Sequence, residues 1–437
     1  MLMIMSLKKS SERYLSMIEI VPVKSLDADL TAPGSKYIAN RAVFAAAMAD
    51  GVSVIHNVPD NKDIRSAIGA LAEFGVRIIR EGSTVKVNGA GSRLAAPKKV
   101  VDVGESGTLF RFITALSALS EGKTTISGSE RINERPISGL LCALDGLGVE
   151  CASNPSKPGF APVTVKGTSG KLKGGPVRVD GRVSSQFISA ILLVSPYAKK
   201  DTEIIIEGNL VSRAYVDLTI EVMESFGVNV SRSGYRRFLV KAKQKYTARE
   251  YSVQGDWSSA SYLLAAAAVT HGRVRVRGLN MKSRQGEARF CELLGDMGCA
   301  VASGSDWVEV KGNSLSGIEV DMGNMPDVVQ TLAAVACFAR GTTRISNISN
   351  LRLKESDRIF DTASELRKLG VGVTAGNDMF EITGGDVRPA LVDPHNDHRL
   401  AMSLAVVGLR SPGIMIKDEL CVGKSFPDFW KILKWLG

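Results

Sequence analysis

One short signal recurs along this chain and constrains its fold more than any other feature. It reads FGVRII, LGVECA, FGVNVS, MGCAVA and LGVGVT, with glycines at Gly75, Gly148, Gly227, Gly298 and Gly370. Their spacings of 73, 79, 71 and 72 residues are near enough to one period to mark a single unit copied along the chain. An amphipathic helix precedes each copy, as in IRSAIGALAEF and VDLTIEVMESF, where apolar residues recur three and four apart. The glycine is placed to cap that helix at its C-terminal end. An alternating strand follows, as in VKVNG, VTVKG, FLVKA, VEVKG and FEITG.

A second helix type alternates with the first and is apolar on nearly all sides, which predicts burial. Its six copies are NRAVFAAAMADG, LFRFITALSALSEG, SQFISAILLVSP, SASYLLAAAAVTHG, VVQTLAAVACFARG and HRLAMSLAVVGL. The sixth amphipathic helix is then FPDFWKILKWLG at the C-terminus, with no hairpin after it, and MIEIVPV near the N-terminus can supply missing strands. These six helix-and-strand units predict an α/β chain of two domains. One spans residues 34–254 as three contiguous repeats, and the other joins residues 17–33 to 255–437. Crossings fall near Pro33 and Gly255. Residues 1–16 have no place in the repeat and read as an extension. Their charges follow the apolar stretch MLMIM and no small-residue cleavage site comes next, unlike a secretory signal.

With 437 residues, the chain is long for one core and comfortable for two. No uninterrupted apolar run reaches the roughly 18 residues of a membrane span. Six scattered cysteines without a CxxC pair read as reduced cytosolic thiols, and four histidines lack metal-ligand spacing, so no metal is expected. A net charge of +10 suits either nucleic acid or small anionic substrates, but the basic residues form no blocks and aromatics are only 6%.

The informative polar residues fall where the buried helices begin: Lys36, Asn40 and Arg41; Gly104 to Arg111; Ser184, Ser185 and Gln186; Asp256, Ser258 and Ser259; Asp327; and Asn396 to Arg399. Unpaired N–H groups and the positive dipole end make such positions ready anion sites. Capping accounts for any one of them, since Ser, Asp and Asn are favoured N-caps. It does not account for Lys36, Arg41, Arg111 and Arg399, because a cation there opposes the dipole unless an anion or a carboxylate partner offsets it. A further charged run, NLRLKESDR, places Lys354 and Arg358 four apart, on one face if the run is helical, with Glu355 beside them. Shorter charged loops carry Glu134 and Arg135 (ERPI) and Lys424 (CVGKSF).

Taken in order, PGSKYIANR, GESGTLFRF, ERPI, VSSQF, GDWSSASY, LRLKESDR, NDHR and KSFPDF resemble the 5-enolpyruvylshikimate-3-phosphate (EPSP) synthase family from about Ile18 to Leu433. The resemblance implies transfer of the carboxyvinyl group of phosphoenolpyruvate to the 5-hydroxyl of shikimate 3-phosphate, releasing phosphate, in a cytoplasmic monomer of the shikimate pathway without cofactor. It implies two domains of three βαβαββ units, an inverse α/β barrel-like fold that closes like a hinge. By motif position, Lys36, Gly107, Arg135, Gln186, Arg358, Arg399 and Lys424 correspond to the phosphoenolpyruvate site. Lys36, Tyr37, Arg41, Ser184, Ser185, Gln186, Ser212, Tyr215, Asp327, Asn350 and Lys354 correspond to the shikimate 3-phosphate site. Glu355 resembles the proton donor and Asp327 the base, with Lys36 between both ligands. Guanidinium groups suit such ligands because they bind phosphate and carboxylate oxygens in pairs. Cations on both sides of an empty cleft are expected to repel.

Two residues depart from the family pattern. Tyr37 stands where serine is usual, and its bulk is expected to crowd the site; Glu105 stands where asparagine is common, and is expected to be paired and structural. Two other readings stay open. A UDP-N-acetylglucosamine enolpyruvyl transferase shares the fold and donor but usually carries a reactive cysteine in the loop matching SGSERINERPIS, where this chain has none. A basic nucleic-acid-binding repeat protein would need exposed basic stripes with aromatic platforms.

Overall fold

The computed structural model describes residues 16–436. The chain divides into a contiguous unit, Gly34–Gln254, and a composite unit that joins the described residues up to Pro33 to those from Gly255 onward. Each has its own apolar core. The expectations for residues 1–15 lie outside the described residues.

The repeat is visible in sheet topology. In the contiguous unit, Val101–Asp102 pairs parallel with Lys123–Ser127, which pairs antiparallel with Val163–Lys166, and this with Cys151–Ala152. The same order recurs in Gly175–Asp180, Thr202–Glu207, Arg237–Val240 and Val230–Ser233. Asp50–His56 takes its parallel neighbour from Glu250–Ser252, so the end of the unit completes its own first sheet. In the composite unit the N-terminal segment does this work. Asp27–Thr31 pairs parallel with Arg273–Arg277, and Met17–Glu19 pairs antiparallel with Ile414–Lys417. The first three residues of MIEIVPV thus form a strand as expected, while Asp27–Thr31 was not anticipated.

All five signal glycines have positive φ, between 81° and 113°, beyond the ends of amphipathic helices. An L side chain is strained there, which explains why glycine recurs. A second repeated glycine has a steric cause. A Cβ at Gly89 or Gly384 would run into backbone carbonyls at the end of the preceding buried helix. Those buried helices fill the cores. Every residue of Lys36–Met48 and of His398–Gly408 is buried, and in the composite unit the helices Trp257–Thr270, Val329–Ala336 and His398–Gly408 pack on one another.

The condition under which Lys354 and Arg358 would share a face is not met. Ser349–Leu353 is a 3₁₀ turn, Lys354 is extended, and the helix begins at Arg358 with Asp357 as its N-cap. The two cations therefore do not share a helix face; a capping aspartate placed just before Arg358 starts the helix there. Asp327 likewise sits on a short turn, Pro326–Val328, ahead of the helix Val329–Ala336.

Candidate active site

In the contiguous unit, three buried helices start at Lys36, Gly107 and Ser185, with Ser35, Ser106 and Ser184 at their N-caps. Lys36 is 8% exposed, and its Nζ donates to Asp63 Oδ2 at 2.8 Å. The carboxylate offsets a cation that the dipole opposes, as expected of a lysine in that place. Arg41 is buried; it donates through Nε to Thr219 Oγ1 at 2.7 Å, and through its terminal nitrogens to the carbonyls of Tyr37 (2.9 Å) and Tyr215 (3.0 Å). Those bonds join the Lys36 helix to Ala214–Ser225, whose first turn carries Tyr215. Ser212, just before that helix, is buried with φ +53°.

The Tyr37 ring does not stand alone. It lies 5.0 Å, centroid to centroid, from Tyr215, with Lys36 Nζ 5.5 Å from its own centroid. The ring thus packs within this unit on Tyr215, itself one of the residues matched to the shikimate 3-phosphate site. Gly107 and Arg135 are close neighbours, for a Cβ on Gly107 would overlap the Arg135 guanidinium. Gln186 Nε2 donates to Thr108 Oγ1 at 3.2 Å, so residues following Gly107 and Ser185 meet. Arg111 donates to the carbonyls of Gly107 (3.2 Å) and Pro136 (2.8 Å), which ties the first turn of its helix to the ERPI loop. Glu105 is half-buried beside the cap Ser106.

The composite unit gathers alternating charges. Arg358 is 1% exposed and donates to Asp397 Oδ2 at 2.6 Å, Asp327 Oδ1 at 2.8 Å and Glu355 Oε2 at 2.8 Å. The other Glu355 oxygen accepts from Lys424 Nζ at 3.0 Å. Arg399 donates to the Asp327 carbonyl at 3.0 Å and to Tyr262 Oη at 3.2 Å, and lies 3.3 Å from Asp327 Oδ2. Burial opposes the Arg358 charge, but the carboxylates of Asp397, Glu355 and Asp327 outweigh it and raise the pKa, with Arg399 pulling the other way. Arg358 stays a cation. Burial raises the Tyr262 pKa despite Arg399, which keeps the phenol protonated. Asn350 lies on the turn before Lys354, and both flank this cluster in sequence.

Thus Lys36, Tyr37, Arg41, Gly107, Arg135, Ser184, Ser185, Gln186, Ser212 and Tyr215 belong to one unit; Asp327, Asn350, Lys354, Glu355, Arg358, Arg399 and Lys424 belong to the other. The direct partners Asp63, Thr219 and Tyr262 had not been singled out, and Asp397 had been only as part of the Asn396 to Arg399 helix start. Asp63 and Asp397 sit at helix starts where acids are common, so nothing local marks their cationic partners. In the composite unit three cations meet three carboxylates, and the expected surplus of positive charge is absent from this cluster. The RVRVRG run is also no bare basic stripe, since Arg273 and Arg275 pair with Glu309 at 2.8 and 2.9 Å and Arg277 pairs with Asp29 at 2.7 Å.

Repeated sheets with buried helices, and buried helix starts bearing guanidinium, ammonium and carboxylate groups, describe a two-unit α/β protein whose helix starts suit small anions. The chain belongs to the EPSP synthase family, whose model, EPSP synthase (3-phosphoshikimate 1-carboxyvinyltransferase), matches residues 20–433. It is 43% identical over 410 residues to a 3-phosphoshikimate 1-carboxyvinyltransferase of Methanoculleus marisnigri, covering 93% of this chain and 96% of that one. A Marinomonas enzyme of the same name is 38% identical over 422 residues, covering 96% and 99%. A solved EPSP synthase from Acinetobacter baumannii superposes with a TM-score of 0.82 at 25% identity, covering 96% of this chain and 98% of that one. Among the described residues, no helix is long and apolar enough to cross a membrane.

Proposed function

We propose that this chain transfers the carboxyvinyl group of phosphoenolpyruvate to the 5-hydroxyl of shikimate 3-phosphate and releases phosphate, using the residues grouped above. The family membership supports the reaction. The observation that carries the residue roles is the Asp327–Arg358–Glu355–Lys424 chain of charge-assisted hydrogen bonds, buried at Asp327 and half-buried at Glu355. Such a network fixes carboxylates in position while keeping cations nearby for phosphate and carboxylate oxygens.

Asp327 takes the proton from the acceptor hydroxyl, whose oxygen then bonds to C2 of phosphoenolpyruvate. Glu355 delivers a proton to the methylene carbon, giving a tetrahedral intermediate. Glu355, left as the carboxylate, takes a proton back from the new methyl group as the C–O bond to phosphate breaks, which yields the vinyl ether and free phosphate. Arg135, Gln186, Arg358, Arg399 and Lys424 hold the donor, with Gly107 leaving room for the guanidinium of Arg135. Ser184, Ser185, Ser212, Tyr215, Arg41, Tyr37, Asn350 and Lys354 hold the acceptor, and Lys36 serves both. The protein works as a cytoplasmic monomer, which light scattering checks for oligomeric state. Phosphate release from phosphoenolpyruvate, measured with and without shikimate 3-phosphate, tests the reaction. Release only with UDP-N-acetylglucosamine as acceptor, or release without any acceptor, overturns it.

A further inference from the structure

We propose that His395 and Glu365 form a positioning pair that sets the loop holding Arg358 and Arg399, an inference that rests on the function proposed above. Glu365 lies two helical turns beyond Arg358 on the helix Arg358–Lys368, so both face the same side. Its carboxylate has no exposed surface, yet it accepts four bonds. Lys368 Nζ reaches both oxygens at 2.8 Å, the Asp393 N–H donates at 2.9 Å, and His395 Nε2 lies 2.9 Å from Oε1. Against a carboxylate already held by lysine, Nε2 carries the proton and donates.

The loop 393–397 is therefore fastened to one helix at two points. Asp393 and His395 bond Glu365 at one end, and Asp397 bonds Arg358 at the other, at 2.6 Å. Between them His395 and Asn396 have φ values of +52° and +56°. Two successive left-handed non-glycine residues persist only where neighbours hold them. The other ties are His395 N–H to Asp393 Oδ1 at 2.8 Å and Asp397 N–H to the Pro394 carbonyl at 2.8 Å. Asp397 then caps the final buried helix by accepting from the Arg399 N–H at 2.9 Å. One loop conformation thus decides both where Asp397 grips Arg358 and where the helix bearing Arg399 begins. The charged groups around His395 are Glu365, Lys368 and Asp361 from the helix, Asp393 from the loop, and Lys417 from the adjacent strand. Nothing in the proposed reaction uses the imidazole itself, so its part is to place the donor-binding arginines.

His395→Leu keeps bulk and removes the hydrogen bond, and His395→Gln restores an N–H donor. Hydrogen exchange at residues 393–399 is expected to accelerate at least about tenfold in the Leu variant and return toward wild type in the Gln variant. The KM for phosphoenolpyruvate is expected to rise about tenfold in the Leu variant, with that for shikimate 3-phosphate within about twofold. Unchanged exchange in a folded Leu variant, or equal rises in both KM values, overturns the positioning role. Should the Leu variant not fold, wild-type exchange in the Gln variant supports the pair, and accelerated exchange there overturns it. Exchange is read without turnover, so absence of acceptor-dependent phosphate release in the wild type would count against the functional reading alone.

Discussion

Glu355 accepts from Arg358 with one oxygen and Lys424 with the other, so its position is set on both sides before any substrate arrives. Glu355→Gln keeps the shape and removes the transferable proton. Turnover is expected to fall on the order of 10²-fold or more while both substrates still bind. Rapid-quench turnover and equilibrium binding check it; near-normal turnover would remove Glu355 from the proton transfer. Gly107→Ala acts differently, because its new Cβ collides with the Arg135 guanidinium. Arg135 ends in a flexible side chain, so displacement of that group is the expected response. The KM for phosphoenolpyruvate should rise by about tenfold, and an unchanged value would remove Arg135 from the donor site. Tyr37→Ser tests whether the aromatic departure is structural. By comparison with truncations of buried aromatic residues, loss of the ring packed on Tyr215 is expected to cost about 3 kcal/mol. Denaturant titration reads that loss, and unchanged stability would show that the ring contributes no packing.

Elements were legible where backbone geometry restricts residue choice. The signal glycines mark left-handed positions beyond helix ends, and strict conformational demand left the same letter five times over. The all-apolar helices were legible because burial on every side leaves no polar stripe. Other features were hidden for equally physical reasons. Asp27–Thr31 pairs with a strand roughly 240 residues later, and no local pattern announces that partner. Spacing alone left open whether Lys354 and Arg358 share a helix, and Asp357 decides it by capping a helix that starts at Arg358. Site residues with unusual placement, such as Lys36 and Arg399 at helix starts, stood out. Asp327, the partner of Arg399, stood out too, whereas Asp63, the partner of Lys36, did not, since acids at helix starts are ordinary. Asp397 combines both roles, capping the Arg399 helix and holding Arg358. Asp397→Asn retains a good capping side chain but removes the charge. Because it strips one carboxylate from a buried guanidinium, it is expected to destabilise the protein by about 3 kcal/mol, measured by urea unfolding. A change under half a kcal/mol, on the order of a neutral surface substitution, would mean that Asp327 and Glu355 suffice.

At the scale of the whole molecule, the proposed residues for each substrate are shared between two units of separate core. Within the composite unit Arg358, Arg399 and Lys424 already face Asp327, Glu355 and Asp397, so that cluster adds little net positive charge of its own. A ligand can supply coupling between the units. Shikimate 3-phosphate is proposed to use Ser184, Ser185, Ser212 and Tyr215 of the contiguous unit and Asp327, Asn350 and Lys354 of the composite one. A ligand that touches both has higher affinity for the arrangement in which both are within reach, which is the requirement for shifting a population. Phosphoenolpyruvate is proposed to use Arg135 and Gln186 of one unit and Arg358, Arg399 and Lys424 of the other, and on that proposal it gains once the acceptor has met the cost of ordering them. Saturating shikimate 3-phosphate is therefore expected to tighten phosphoenolpyruvate binding at least about tenfold, a coupling of about 1.4 kcal/mol, and to lower the radius of gyration. Titration calorimetry and small-angle scattering on the same samples decide it. Tighter binding with an unchanged radius would move the coupling to local ordering within the units; unchanged affinity and radius together would sink the shared-site reading even with the reaction established.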